Sequence, residues 1–136
     1  NHVDMLSSTS RENVFQEMLA SDVFVMPSIK ETFGLVYLEA LASGCIVIGS
    51  VNEGIDGVIK NNENGFLVNN GSVSEIVVVL EKIINMNVHE LERVKNAGIK
   101  TSQNMSESQV ARKYLENISY VINKRTGYNV NTKQFR

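Results

Sequence analysis

Val23-Phe24-Val25-Met26 is a run of four apolar residues, partly β-branched and aromatic, closed by Pro27-Ser28. A run this short, ended by a proline, reads as a strand buried on both faces that feeds a loop. Working outward, residues 35–43 predict a helix closed by Gly44, a residue suited to the left-handed conformation that ends helices. Ile46 to Gly49 then predicts the next buried strand. Upstream, residues 3–6 form a short extended stretch that predicts a strand, followed by Ser7-Ser8-Thr9-Ser10, whose hydroxyls favour a loop or a helix cap. Thr9 with Glu12 makes a capping-box pattern, and Val14, Phe15, Met18 and Leu19 fall on one face of the helix it opens.

Downstream, residues 53–64 are polar and punctuated by glycine; a short helix is expected over 56–59, and Asn64-Gly65 as a turn before Phe66-Leu67-Val68. Ser72 with Glu75 repeats the capping pattern ahead of Ile76, Val79, Leu80, Ile83 and Ile84, a helical period. Leu91, Val94 and Gly98 mark another helix. Val110, Tyr114, Ile118, Val121 and Ile122 mark a last amphipathic one over 106–124, and 125–136 reads as a polar tail. Strands alternating with helices predict an α/β fold: a Rossmann-like parallel sheet with helices on both faces, ending in C-terminal helices. Ligands of such sheets sit beyond the strand C-terminal ends, so the loops of interest are 7–10, 27–34 and 50–57.

Composition removes several function classes. The 136 residues carry 13 basic and 15 acidic side chains for a net charge of -2, so there is no basic field to hold nucleic acid. The one cysteine, Cys45, cannot form an internal disulfide, which fits a reducing, cytoplasmic setting. No apolar run approaches the ~18 residues of a membrane span. His2 and His89 stand apart without metal-ligand spacing, and no metal is expected.

The segment from Glu31 to Glu39 begins in the second loop and finishes inside the following helix. Backbone N–H groups at Gly34, Leu35 and Val36 point out of the helix start, where the dipole also favours an anion such as a diphosphate. Glu39 lies about one turn further in and is the only charged side chain in residues 35–43. A lone carboxylate in so apolar a helix is costly without partners, and adjacent sugar hydroxyls are good donors to its two oxygens. Glu31 beside Lys30 would read alone as an exposed loop acid; the surrounding segment argues otherwise.

Residues 21–28, Glu31 and Glu39 around Phe33-Gly34, residues 39–44, Glu53-Gly54-Ile55 and residues 63–68 together resemble the retaining glycosyltransferases of the two-Rossmann-domain type, often called family four. The match covers roughly residues 21–69. It implies that residues 1–124 are part of the C-terminal, nucleotide-sugar-binding domain, with 125–136 as the tail. By position, Glu39 resembles the ribose-binding glutamate, the amides of Thr32, Phe33, Gly34, Leu35 and Val36 would cradle the diphosphate, and catalytic Glu31 would face the donor sugar. Ser8 and Thr9 would lie near the base. The nucleotide sugar would be a substrate, and no cofactor is implied.

The chain departs from the family pattern at Ser7 and Thr32, where glycine is usual, at Ile46 for a common proline, and at Glu53 and Gly57, where Gly and Glu often occur. It also lacks the Arg and Lys with which related enzymes neutralise the leaving group, and the N-terminal acceptor-binding domain. A missing part is therefore an expected partner, with any attachment to the inner face of a membrane supplied by it, and this chain alone is expected not to turn over. A nucleotide-sugar-binding module without transfer activity and an epimerase-like domain are the competing readings.

Overall fold

The computed structural model describes residues 3–31 and 34–105. The chain divides into two units, Asn1–Gln103 and Asn104–Arg136; the expected helix over 106–124 and the tail 125–136 lie outside the described residues.

The first helix, α1 (Arg11–Ala20), starts one residue later than its sequence pattern implies. Ser10 is extended, and its hydroxyl accepts the Asn13 N–H at 3.3 Å, so Ser10 and not Thr9 is the cap. Thr9 instead accepts from the Asn13 side-chain amide at 2.8 Å. Three strands follow among the described residues: β1 (Val23–Val25), β2 (Ile46–Ser50) and β3 (Phe66–Val68), all parallel in the order β1-β2-β3. The register places Val23 against Ile46 and Val25 against Ile48, then Ile48 against Phe66 and Ser50 against Val68. Between β1 and β2 the chain returns through α2 (Leu35–Ala42), which ends where Gly44 takes φ +86°.

After β3 come α3 (Val73–Ile84) and α4 (Val88–Asn104). Ser72 caps α3 by accepting the Glu75 N–H at 3.4 Å. At α4 the box is reciprocal: Asn87 accepts from the Glu90 N–H and Glu90 accepts from the Asn87 N–H, both at 3.0 Å.

The central strand explains the two-faced packing. Successive strand residues point to opposite faces, so Val47 joins Tyr37, Ala40, Leu41, Ile55 and Met18 on the side of α1 and α2. Ile46 and Ile48 join Phe66, Val68, Ile83 and Val94 on the side of α3 and α4. Each large side chain buried here contributes about 1.5–3 kcal/mol.

Four expectations need correction. Residues 3–6 do not join the sheet; Val3, Met5 and Leu6 are exposed. Of the expected face of α1, only Met18 is buried, while Val14, Phe15 and Leu19 remain at least 38% exposed. Residues 56–59 make turns and one bridge rather than a helix, because Gly57 takes φ +89° and breaks the helical path. The turn expected at Asn64-Gly65 lies over residues 62–64, with Asn62 at φ +67°, while Gly65 bridges Asn61. A Cβ at Gly65 would lie 2.9 Å from the Val47 carbonyl oxygen, so close packing of the chain on β2 requires the glycine.

Candidate functional site

Parallel pairing brings the three strand C-termini to one edge of the sheet, and one residue from each following loop meets there. Glu53, after β2, accepts the backbone N–H of Glu31, after β1, at 2.7 Å. Its other carboxylate oxygen accepts from the side-chain amide of Asn70, after β3, at 3.0 Å. The Gly54 N–H donates to the Glu31 carbonyl at 3.0 Å, so the Glu31 peptide is held from both ends. The backbone N–H groups of Lys30 and Glu31 hold the Glu53 carboxyl below its usual range.

Thr32 and Phe33 lie outside the described residues. Beyond them Gly34, at φ +66° and ψ 64°, is the left-handed N-cap of α2 and offers no side-chain acceptor. The other described helices have one, from Ser10, Ser72 and Asn87. Leu35 is exposed and Val36 half-buried. The glycine answers to internal packing as well as to access: a Cβ at Gly34 would lie 2.5 Å from Tyr37 Cε2 and 3.2 Å from Glu31 Cγ. Tyr37 is fully buried, donates its hydroxyl to the Met26 carbonyl and meets Phe24 edge-on at 6.0 Å. It ties the start of α2 to the segment leaving β1 and fills the space beside Gly34.

Glu39 is placed differently from the sequence expectation of a lone acid in an apolar helix. Its side chain is 32% exposed and accepts a charge-assisted hydrogen bond from Arg11 of α1. Both residues border a groove of about 390 Å³ between α1 and α2, walled by Val14, Phe15, Met18 and Ala42. Ser8 and Thr9 are exposed ahead of α1; Thr9 lines a separate hollow of about 240 Å³ with Leu6, Ser7, Asn13 and Gln16. Thus Glu31 and Gly34 stand together at the strand ends, and Glu39 reaches α1 through Arg11. Arg11, the role of Glu53 and Asn70 were missed from sequence, because each acts through a partner 28, 22 or 17 positions away.

Among the described residues no group of three His, Cys, Asp or Glu side chains could hold a metal ion. No described helix is long and apolar enough to cross a membrane. Buried Cys45 has its thiol pushed up by desolvation and donates to the Met18 carbonyl at 3.1 Å, a packing role.

A parallel sheet wrapped by helices on both faces, with its loops joined at the strand C-termini, defines a doubly wound α/β domain. The chain belongs to the family described as glycosyl transferases group 1, which it matches over residues 1–101. It is 33% identical over 111 residues to trehalose synthase of Pyrococcus horikoshii, covering 82% of this chain and 25% of that protein. The C-terminal domain of LpcC, a glycosyl transferase group 1 family protein of Francisella tularensis, superposes with a TM-score of 0.66 at 26% identity, over 78% of this chain and 53% of that one. Anabaena HepE, solved in complex with UDP-glucose, shares the fold with a TM-score of 0.66 at 23% identity, over 77% of this chain and 29% of that one. The chain spans 15% to 26% of the length of the curated relatives it matches first.

Proposed function

We propose that this chain is the donor-binding part of a retaining glycosyltransferase. It holds a nucleoside-diphosphate sugar and presents the sugar for transfer to a glycan, lipid or small acceptor. The start of α2 is the observation that carries this reading. Gly34 provides no side-chain cap there, and among the described residues no side chain accepts from the first amides of α2, which supports an external acceptor at the edge where three loops converge.

In this account the amides of Thr32, Phe33, Gly34, Leu35 and Val36 receive the diphosphate. Glu39 accepts the ribose hydroxyls, Glu31 faces the donor sugar near the reacting carbon, and Ser8 and Thr9 lie toward the base. UDP-glucose bound by HepE supports the class of donor. The nucleotide sugar is the substrate, and the reading calls for no resident cofactor or metal. An earlier stretch of the same domain supplies the Arg and Lys that neutralise the leaving group, the largest catalytic contribution in such chemistry, and an N-terminal domain supplies the acceptor site, so this chain alone binds without turnover. The single cysteine fits a cytoplasmic setting, with any contact to the inner face of a membrane made by the remainder of the enzyme.

Thermal unfolding with UDP-, GDP- and ADP-glucose tests the site. A donor at a hundred times its Kd stabilises by about 2.7 kcal/mol. We expect one nucleotide sugar to raise the melting temperature, and Glu39→Ala to remove the rise. Unaltered melting with every nucleotide at millimolar ligand counts against a self-sufficient donor site.

A further inference from the structure

We propose that Glu53 is a positioning residue that fixes the loop carrying Glu31 by filling a backbone nest with its carboxylate. The inference rests on the reading of Glu31 as the donor-facing residue. Lys30 takes φ +64°, a left-handed conformation that costs a residue with a Cβ about 1–2 kcal/mol. Such a conformation persists only where the surroundings over-determine it. The Glu31 N–H that follows Lys30 donates to Glu53 in a charge-assisted bond of 2.7 Å. Successive N–H groups beside a left-handed residue form an anion-accepting concavity, which the Glu53 carboxylate fills. Asn70 holds the opposite oxygen at 3.0 Å, and the Gly54 N–H returns to the Glu31 carbonyl at 3.0 Å.

The arrangement couples all three loops through one side chain. Glu31 Cγ stands close to Gly34, so any shift of the Glu31 peptide moves its side chain against the start of α2.

Amide hydrogen exchange followed residue by residue by NMR on the 136-residue chain tests it without any ligand. In Glu53→Ala, exchange at Lys30 and Glu31 should accelerate at least tenfold while Val47 and Ile48 in β2 stay protected. Glu53→Gln, which keeps an acceptor oxygen, should retain part of the protection. Asn70→Ala should give a smaller acceleration at the same two amides, and it supplies the test should Glu53→Ala fail to fold. Unchanged exchange at Lys30 and Glu31, or equal acceleration at β2, overturns the proposal. A chain with the expected exchange pattern that binds no nucleotide sugar contradicts the donor reading and leaves the positioning role standing.

Discussion

Arg11 at the start of α1 donates to the Glu39 carboxylate of α2, joining two helices whose paired residues stand 28 positions apart. The Arg11 side chain is 87% exposed, so the pair is worth about 0.2–1 kcal/mol and can open to a ligand. Arg11→Ala should therefore change donor affinity by less than about fivefold. In the proposed donor complex Glu39 accepts two ribose hydroxyls, each bond to a charged group being worth about 1.5–3 kcal/mol, so Glu39→Ala should weaken binding by at least about tenfold. Calorimetric titration of both variants with the preferred nucleotide sugar checks the ratio; a larger loss from Arg11→Ala than from Glu39→Ala would count against the ribose role.

Two glycines with positive φ should respond differently to alanine. Gly44 takes φ +86° and a Cβ there meets nothing within 4 Å, so Gly44→Ala should cost about 1–2 kcal/mol from backbone conformation alone. At Gly34 the Cβ also enters the Tyr37 ring, and the total should exceed the Gly44 cost by about 1–3 kcal/mol. Urea unfolding midpoints of the two variants give the comparison directly.

The buried Asn64 side chain satisfies three partners. It accepts from the Lys60 N–H at 2.7 Å and donates to the Val58 carbonyl at 3.1 Å and to the Thr101 hydroxyl at 2.8 Å. Asn64→Ala leaves these groups unpaired and should destabilise the domain by about 2–3 kcal/mol. Leu19→Ser, on the exposed side of α1, should stay within about 0.5 kcal/mol, while Met18→Ala one position away should cost at least about 2 kcal/mol. Chemical denaturation of the three variants separates these outcomes.

Acid should weaken the fold through Glu75. The backbone N–H of Asn69, then its side-chain amide, hold the Glu75 carboxyl below its usual range. The unfolded chain therefore takes up this proton first. The contribution is complete above the ordinary glutamate value of about 4.3 and is lost as the pH falls through the lowered folded value. Glu75→Gln should flatten the fall in stability below about pH 4.3, measured as unfolding midpoint against pH; an unchanged slope would rule out this source.

The sequence disclosed the parts of the fold governed by local pattern. The run at Ile46 is apolar because β2 is buried along its whole length, and the run at Phe66 nearly so. Strand β1, expected to be covered on both faces, instead lies at the sheet edge with Val25 39% exposed. The helical period after Ser72 is regular enough to fix α3. Residues 3–6 carried the same apolar signal, but forming a strand needs a neighbour, and the signal does not say whether one is present. The short helix expected over 56–59 failed because Gly57 at φ +89° redirects a segment whose buried Ile55 and Ile59 resemble one helical face. At the site, Glu31 and Glu39 stood out by their context within one segment. Their partners Glu53 and Arg11 come from other loops and helices, and such contacts leave no mark on local spacing.

Sugar transfer by a protein that joins this chain to the acceptor-binding domain proposed for it tests the central claim most directly. With nucleotide sugar and acceptor supplied, Glu39→Ala should lower kcat/KM by at least about tenfold, and Glu31→Ala should lower kcat by on the order of a hundredfold. Undiminished transfer in both variants would contradict the account.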